Sequence, residues 1–341
     1  MSTQVDLGTV FKGSSSGKIV QAKGETVELK PDQVVIDIAY SGLCGSDLHF
    51  RKKGDMVLGH EGVGIISQVG KDVDFLKVGD RVGWGCNHNA CNYCKQCWNG
   101  VDTLCPHRAF YSMADPQFGS FGDRAVLSGY FVHKIPDDLP LKYAGPLQCG
   151  GATVYGAIVK AGVRPMERVG VLGLGGLGHL AVQYLNKMGC EVVVFSHSNS
   201  KKEEAKKLGA HEFVAVKENP ELKGVKPINH LLVSTSQQPV WELFFKVMAP
   251  RGAIIPLSVS FEEMKHPYGQ ILAQELTITG SLVARREVHQ EMLQFSARHN
   301  IHPWIEEMAM TEENINTAFD RLEKGDVRYR FVLKSQRTDA E

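Results

Sequence analysis

Val169-Gly-Val-Leu-Gly-Leu-Gly-Gly-Leu-Gly178 is the stretch whose reading decides the fold. An apolar run ends in Gly173-x-Gly175-x-x-Gly178 and opens into an amphipathic segment at 179–188. A second apolar run, 191–195, follows where a βαβ unit needs its next strand. The pattern predicts strand, tight turn and helix. Gly173 makes the turn, Gly175 lets a pyrophosphate approach the backbone, and Gly178 lets helix and strand pack closely. Leu174, Gly176 and Leu177 complete the predicted dinucleotide cradle, with the helix N-terminus facing the phosphates. A GxGxxG alone is weak in a chain with 35 glycines; the flanking strands and helix give it force.

Working outward, strand and helix patterns alternate from about residue 147 to 286. Helices are expected at 152–161, 201–208 and 240–248, and strands at 213–216, 230–234, 253–257 and 276–280. Such alternation predicts an α/β, doubly wound parallel sheet. Upstream the texture is short strands among glycines: 34–40, then a turn at 42–45, then 63–69 and 81–83. Downstream, helices at 288–298 and 312–324 precede a strand-like 328–334. The 217–227 segment is polar and reads as a surface excursion.

The 341 residues suggest two domains, and 43% hydrophobic with 22% charged residues is an ordinary globular composition. Lysine plus arginine and aspartate plus glutamate both number 38, which argues against nucleic acid or an anionic membrane as partner. No apolar run reaches 18 residues, and the first ten show no signal-peptide pattern. A cytoplasmic protein is expected, so its eight cysteines read as metal ligands or thiols rather than disulfides.

Cys91-x2-Cys94-x2-Cys97-x7-Cys105 places four thiols within fifteen residues, the donor set of a closed structural zinc site. An iron–sulfur centre, free thiols and a zinc ribbon are the competing readings. The first lacks the expected Cys-Pro spacing and the last lacks interleaved basic and aromatic residues. Cys86 and His88 stand just upstream and are read as non-ligands. Cys44, His60, Glu61 and Cys149 are dispersed, and a lone buried Cys or His is more often simple packing. Two thiolates, one imidazole and an exchangeable carboxylate are nevertheless a plausible catalytic zinc set.

Several stretches now carry a family resemblance. They are Cys44-Gly-Ser-Asp-Leu-His49, Gly59-His-Glu-Gly-Val-Gly64, Val78-Gly-Asp-Arg-Val-Gly83 and the Cys91–Cys105 cluster. Cys149-Gly-Gly-Ala-Thr-Val-Tyr155, the glycine turn and Glu323-Lys-Gly-Asp-Val-Arg-Tyr-Arg-Phe331 complete the set, in family order over most of the chain. The chain resembles the zinc-dependent medium-chain dehydrogenases, and within them the cinnamyl alcohol dehydrogenase branch with its broad-specificity yeast members. The resemblance implies a GroES-like β domain at 1–149 and 287–341, and a Rossmann NADP-binding domain at 150–286. It implies a catalytic zinc on Cys44, His60 and Cys149, with Glu61 exchangeable, and a second, structural zinc on the four clustered cysteines. It implies that Ser46 touches the substrate oxygen, that His49 relays its proton to solvent, that Thr153 lies near the nicotinamide, and that the chain is a homodimer. Only fifteen residues separate Cys44 from His60, fewer than in most relatives, with Gly54-Asp55 at the shortened turn. Substrate scope is therefore not carried over.

The end of the second Rossmann strand chooses the cofactor. NAD enzymes place a carboxylate there for the ribose 2′-hydroxyl. This chain has Ser196-His-Ser198-Asn-Ser-Lys201-Lys, with no carboxylate before Glu203. Hydroxyls and lysines suit a 2′-phosphate, although the same residues also suit a helix N-cap with a basic face. The resemblance assigns Ser196, Ser198 and Lys201 to that phosphate. The expected activity is zinc-dependent, NADP(H)-linked hydride transfer between an aldehyde and an alcohol, with a small-molecule substrate and no membrane or nucleic-acid partner. Reduction of an activated C=C or C=N bond is the alternative, and a zinc-scaffolded redox sensor is a more distant one.

Overall fold

Arg168–Leu172 is buried along its whole length, as a strand covered on both faces must be. In the computed structural model, which describes residues 3–113 and 116–337, it lies near the middle of a six-stranded sheet. Met1, Ser2, Ala114, Asp115 and residues 338–341, which fall inside the ranges read above, lie outside the described residues. The strand order is Glu212–Ala215, Glu191–Ser196, Arg168–Leu172, Ile228–Val233, Met248–Pro256 and Thr277–Ile278, and every pairing is parallel. In chain order this is 3-2-1-4-5-6, the doubly wound Rossmann arrangement. Helix Gly178–Lys187 packs Leu180, Ala181, Val182, Tyr184 and Leu185 inward and leaves Lys187 in its last turn, where a cation suits the helix dipole. This sheet and its helices form one unit, Thr153–Ala284.

The other unit joins Met1–Ala152 to Arg285–Glu341. Its largest sheet runs His133–Lys134, Arg81–Trp84, Gly62–Val69, Gln33–Leu43, Arg330–Lys334 and Ile305–Ala309, with Arg124–Ser128 also paired to Gln33–Leu43. Trp84, Phe121, Phe319 and Phe331 are fully buried at its core. Helix Glu312–Glu323 is capped by Thr311, whose hydroxyl accepts from the Asn314 amide at 3.2 Å, and it buries Ile315, Ala318 and Phe319.

Several local expectations differ from what is observed; the strand expected at 276–280 is only Thr277–Ile278. Residues 42–45 are not a turn: Gly42 and Leu43 end the eleven-residue strand Gln33–Leu43. Gly42 pairs with Val332, a partner invisible from local sequence. The expected helix at 240–248 is only Trp241–Phe245, because Met248 already pairs with Ile228 as the first residue of strand Met248–Pro256.

His133 and His289 stack in this unit with ring centroids 3.9 Å apart, and both are buried. Burial, together with the charge of Arg286, holds His133 down to about 4, against about 6.5 when unfolded. Because the folded value is depressed, the associated stability is complete above pH ~6.5 and drains away as pH falls toward 4, a span on the order of 3 kcal/mol. His133→Phe keeps a ring against His289. It is expected to flatten the decline in Tm between pH 7 and pH 5 by a few degrees, and parallel slopes in the two proteins would refute the burial account.

Candidate functional site

The four clustered cysteines converge through three short elements. Cys91 follows strand Asn87–Asn89, Cys94 and Cys97 cap and occupy helix Lys95–Trp98, and Cys105 ends the 3-10 turn Asp102–Leu104. Their sulfurs lie 3.6 to 4.0 Å apart where paired: Cys94–Cys97 and Cys91–Cys105 at 3.6 Å, Cys94–Cys105 at 3.8 Å, Cys91–Cys97 at 4.0 Å. A tetrahedron of thiolates about 2.3 Å from zinc has edges of roughly 3.8 Å, so these residues fit that ion. The amides of Cys91 and His107 donate to the Cys105 sulfur at 3.5 and 3.3 Å, as suits a thiolate.

Cys44, His60, Glu61 and Cys149 form a second group. All four are buried, and their donor atoms lie within 4.8 Å of one another. Cys44 precedes helix Gly45–Leu48, His60 and Glu61 precede strand Gly62–Val69, and Cys149 sits in the π-helical turn Leu147–Gly151. The Cys44 and Cys149 sulfurs are 4.0 Å apart, again close to the edge of a zinc tetrahedron.

A buried carboxylate organises the group. One oxygen of Asp47 accepts from the Cys44 amide at 2.9 Å. The other meets His60 Nδ1 at 2.9 Å and accepts from the Tyr111 hydroxyl at 2.8 Å. Tyr111 in turn accepts from the Gly59 amide at 2.8 Å. With Nδ1 turned to Asp47, His60 presents Nε2 to the centre of the group, where it has no hydrogen-bond partner among the described residues. This is how a metal-ligating histidine is held by an outer carboxylate. Burial opposes charge on His60, but Asp47 overrides it and pushes the imidazole well above its ordinary value. A hydrogen bond with Cys149 holds the Cys44 thiol well below its usual range against burial, helped by Arg330 and His60.

Glu61 is fully buried and pairs with Arg330 through one carboxylate oxygen. The other oxygen has no partner among the described residues. Burial pushes this carboxyl up to about 8, against the charge of Arg330. Two donor atoms without a partner among the described residues, two thiols and full burial fit a zinc ion.

Among the predicted site residues, the structure brings these four together. Ser46 is half-buried in the helix that starts after Cys44, and His49 caps that helix at an exposed position. Cys86 and His88 are not in the ligand group. Cys86 is nonetheless buried against Cys149 and His60, and His88 packs edge-on to Phe118 at 5.4 Å. Sequence reasoning missed Asp47, Tyr111 and Arg330. Asp47 was within reach, three residues after Cys44. Arg330, 269 residues from Glu61, left no local signal.

In the other unit, Gly173 has φ +93°, open to glycine but strained for other residues. A Cβ on Gly178 would lie 1.9 Å from the Gly173 carbonyl oxygen, so only glycine permits this helix–strand approach, whereas a Cβ on Gly175 would meet nothing within 4 Å. Ser196 ends its strand, and the Ser198 hydroxyl lies 3.1 Å from that of Ser200. Lys201 reaches back to donate to the Leu174 carbonyl at 2.7 Å, so its ammonium lies against the glycine turn. Thr153 is half-buried in the first turn of helix Ala152–Lys160.

Residues 30–137 match the family model for the alcohol dehydrogenase GroES-like domain, and residues 176–298 match that for zinc-binding dehydrogenases. A probable cinnamyl alcohol dehydrogenase of Oryza sativa subsp. japonica is 36% identical, over 89% of this chain and 86% of its own. The NADP-dependent alcohol dehydrogenase C 1 of Mycolicibacterium smegmatis is 35% identical, over 89% of this chain and 90% of its own. A cinnamyl alcohol dehydrogenase structure from Sorghum bicolor superposes with a TM-score of 0.90 at 29% identity, covering 100% of this chain and 99% of that one. The parallel sheet with its glycine turn, the GroES-like unit and the two donor clusters thus have one common origin: the chain belongs to the zinc-dependent medium-chain dehydrogenases, in their cinnamyl alcohol dehydrogenase branch, and is an oxidoreductase.

Proposed function

We propose that the chain is an NADP(H)-dependent alcohol dehydrogenase and aldehyde reductase carrying one catalytic and one structural zinc. The observation that carries this reading is the buried Cys44, His60, Glu61 and Cys149 group, with its orphaned His60 Nε2 oriented by Asp47. When bound, zinc supplies Lewis acidity to a carbonyl oxygen and the nicotinamide supplies hydride. The chain's residues do the rest. Asp47 keeps the His60 proton on Nδ1. Arg330 holds Glu61 from one side and leaves its second oxygen available. Ser46 Oγ gives a proton to the substrate oxygen, and His49, exposed at the helix end, replaces it from solvent.

The absence of a carboxylate after strand Glu191–Ser196, with Ser196, Ser198 and Lys201 there instead, supports NADP(H) over NAD(H). The related NADP-dependent enzyme of M. smegmatis supports the same choice. Strand Thr277–Ile278 ends the Rossmann sheet with exposed Ile278, and Leu282 is exposed nearby, which supports a homodimer through that edge. No helix among the described residues is long and apolar enough to cross a membrane, and we place the enzyme in the cytoplasm.

A panel of aldehydes and alcohols, beginning with cinnamyl alcohol and its aldehyde, tests the reading with NADPH and NADH side by side. NADPH is expected to be preferred. Lys201→Ala should raise KM for NADPH by roughly tenfold or more, the worth of one charge-assisted hydrogen bond, with little change for NADH. Equal use of both cofactors by the parent enzyme would sink the NADP assignment.

A further inference from the structure

We propose that Gln148 is a positioning residue for the Cys149 sulfur, locked in place by His289 from the C-terminal segment. The proposal rests on the zinc reading of Cys149.

Leu147–Gly151 is a π-helical turn, a form that is rare and needs support from its surroundings. Gln148 is fully buried on it, where an unpaired amide would be costly. Both ends of the amide are satisfied. Its Nε2 donates to the Ala144 carbonyl at 3.0 Å, and its Oε1 lies 3.0 Å from His289 Nε2. Ala144 can only accept, so the amide nitrogen belongs on that side and the oxygen faces the imidazole. His289 must then carry its proton on Nε2 and donate it. Burial, with His133 nearby, keeps this ring well below its ordinary value and therefore neutral. Stacking on His133 at 3.9 Å fixes its plane.

The amide is boxed in on a further side. A Cβ on Gly83, in the strand Arg81–Trp84, would lie 2.5 Å from Gln148 Nε2. Helix Arg286–His299, His289 and Gln148 thus form a continuous support ending at the residue bonded to Cys149. A small rotation of that turn would carry the Cys149 sulfur away from its 4.0 Å separation from Cys44. An apolar side chain would fill the same space without needing two partners. A fully satisfied buried network instead specifies one arrangement.

Gln148→Leu removes both bonds with little change of volume, and His289→Phe removes the donor while keeping a ring against His133. Each variant, purified with its zinc, is expected to lose kcat by roughly tenfold with KM for NADPH unchanged, and to release its more labile zinc to a chelator roughly tenfold faster. With cobalt in the catalytic site, the thiolate-to-metal absorption band should shift in both. His289→Gln, which can still donate to Oε1, should restore the parental spectrum. A purely structural role would lower Tm but leave the cobalt spectrum and zinc release as in the parent, and that result in both variants overturns the proposal. If Gln148→Leu does not fold, His289→Phe decides alone. A parent that binds only one metal per chain, at the cysteine cluster, would instead overturn the zinc reading.

Discussion

Cys44→Ser and His60→Ala are each expected to lower kcat by roughly a thousandfold or more, because the site's Lewis acid is lost or mispositioned. NADPH binding, followed by fluorescence titration, should stay within about twofold, since the glycine turn and Lys201 belong to the other unit. Metal content should drop by one zinc per chain. The size of the effect follows from the burial of the group. In a buried site, removing one donor leaves neighbouring charges without compensation. Asp47→Asn keeps the shape but weakens the hold on His60 Nδ1, and should cost 10- to 100-fold in activity or metal affinity. Near-parental turnover by Cys44→Ser with a demonstrably metal-free catalytic site would remove the mechanism.

Much of the fold was legible in the sequence. The Rossmann strands followed from apolar runs bounded by glycine, and the cysteine cluster from spacing alone, because both signals are local. The catalytic group needed the family resemblance, because Cys44, His60 and Cys149 are dispersed and each by itself resembles ordinary packing. What stayed hidden depended on long-range pairing. Gly42 looked like a turn because its partner Val332 lies at the other end of the chain. Arg330 looked like one charge in a strand-like tail, and only the strand pairing brings it to Glu61. Tyr111 could have been simple core, and it is buried as core is; its hydroxyl on Asp47 gives it a second role.

The second large effect concerns the cysteine cluster. Cys94→Ser or Cys105→Ser is expected to release the other zinc and lower Tm by about 10 °C or more. Structural zinc sites hold their loops with apparent binding energies on the order of 10 kcal/mol. Around the sulfurs the buried apolar cluster is small, Ala90 and Phe131 beside the cysteines, with polar ties from Arg286 to Asn92 and Asp102. Thermal unfolding with parallel metal analysis checks this. A Cys94→Ser protein as stable as the parent, with one zinc fewer, would remove the structural assignment.

The pairing of Arg330–Lys334 with Gln33–Leu43 also sets an order of events at the ribosome. The Rossmann unit is continuous and can close once its last residue, Ala284, emerges. The other unit cannot. Its central strand is made early, but the strand beside it comes last. At a synthesis rate of roughly 5–20 residues per second, the thiols from Cys44 to Cys149 wait about 10–60 s for that strand. During that interval Glu61 has no Arg330 to meet. Strand Arg330–Lys334 therefore acts as a clasp, completing the sheet and bringing Arg330 to Glu61.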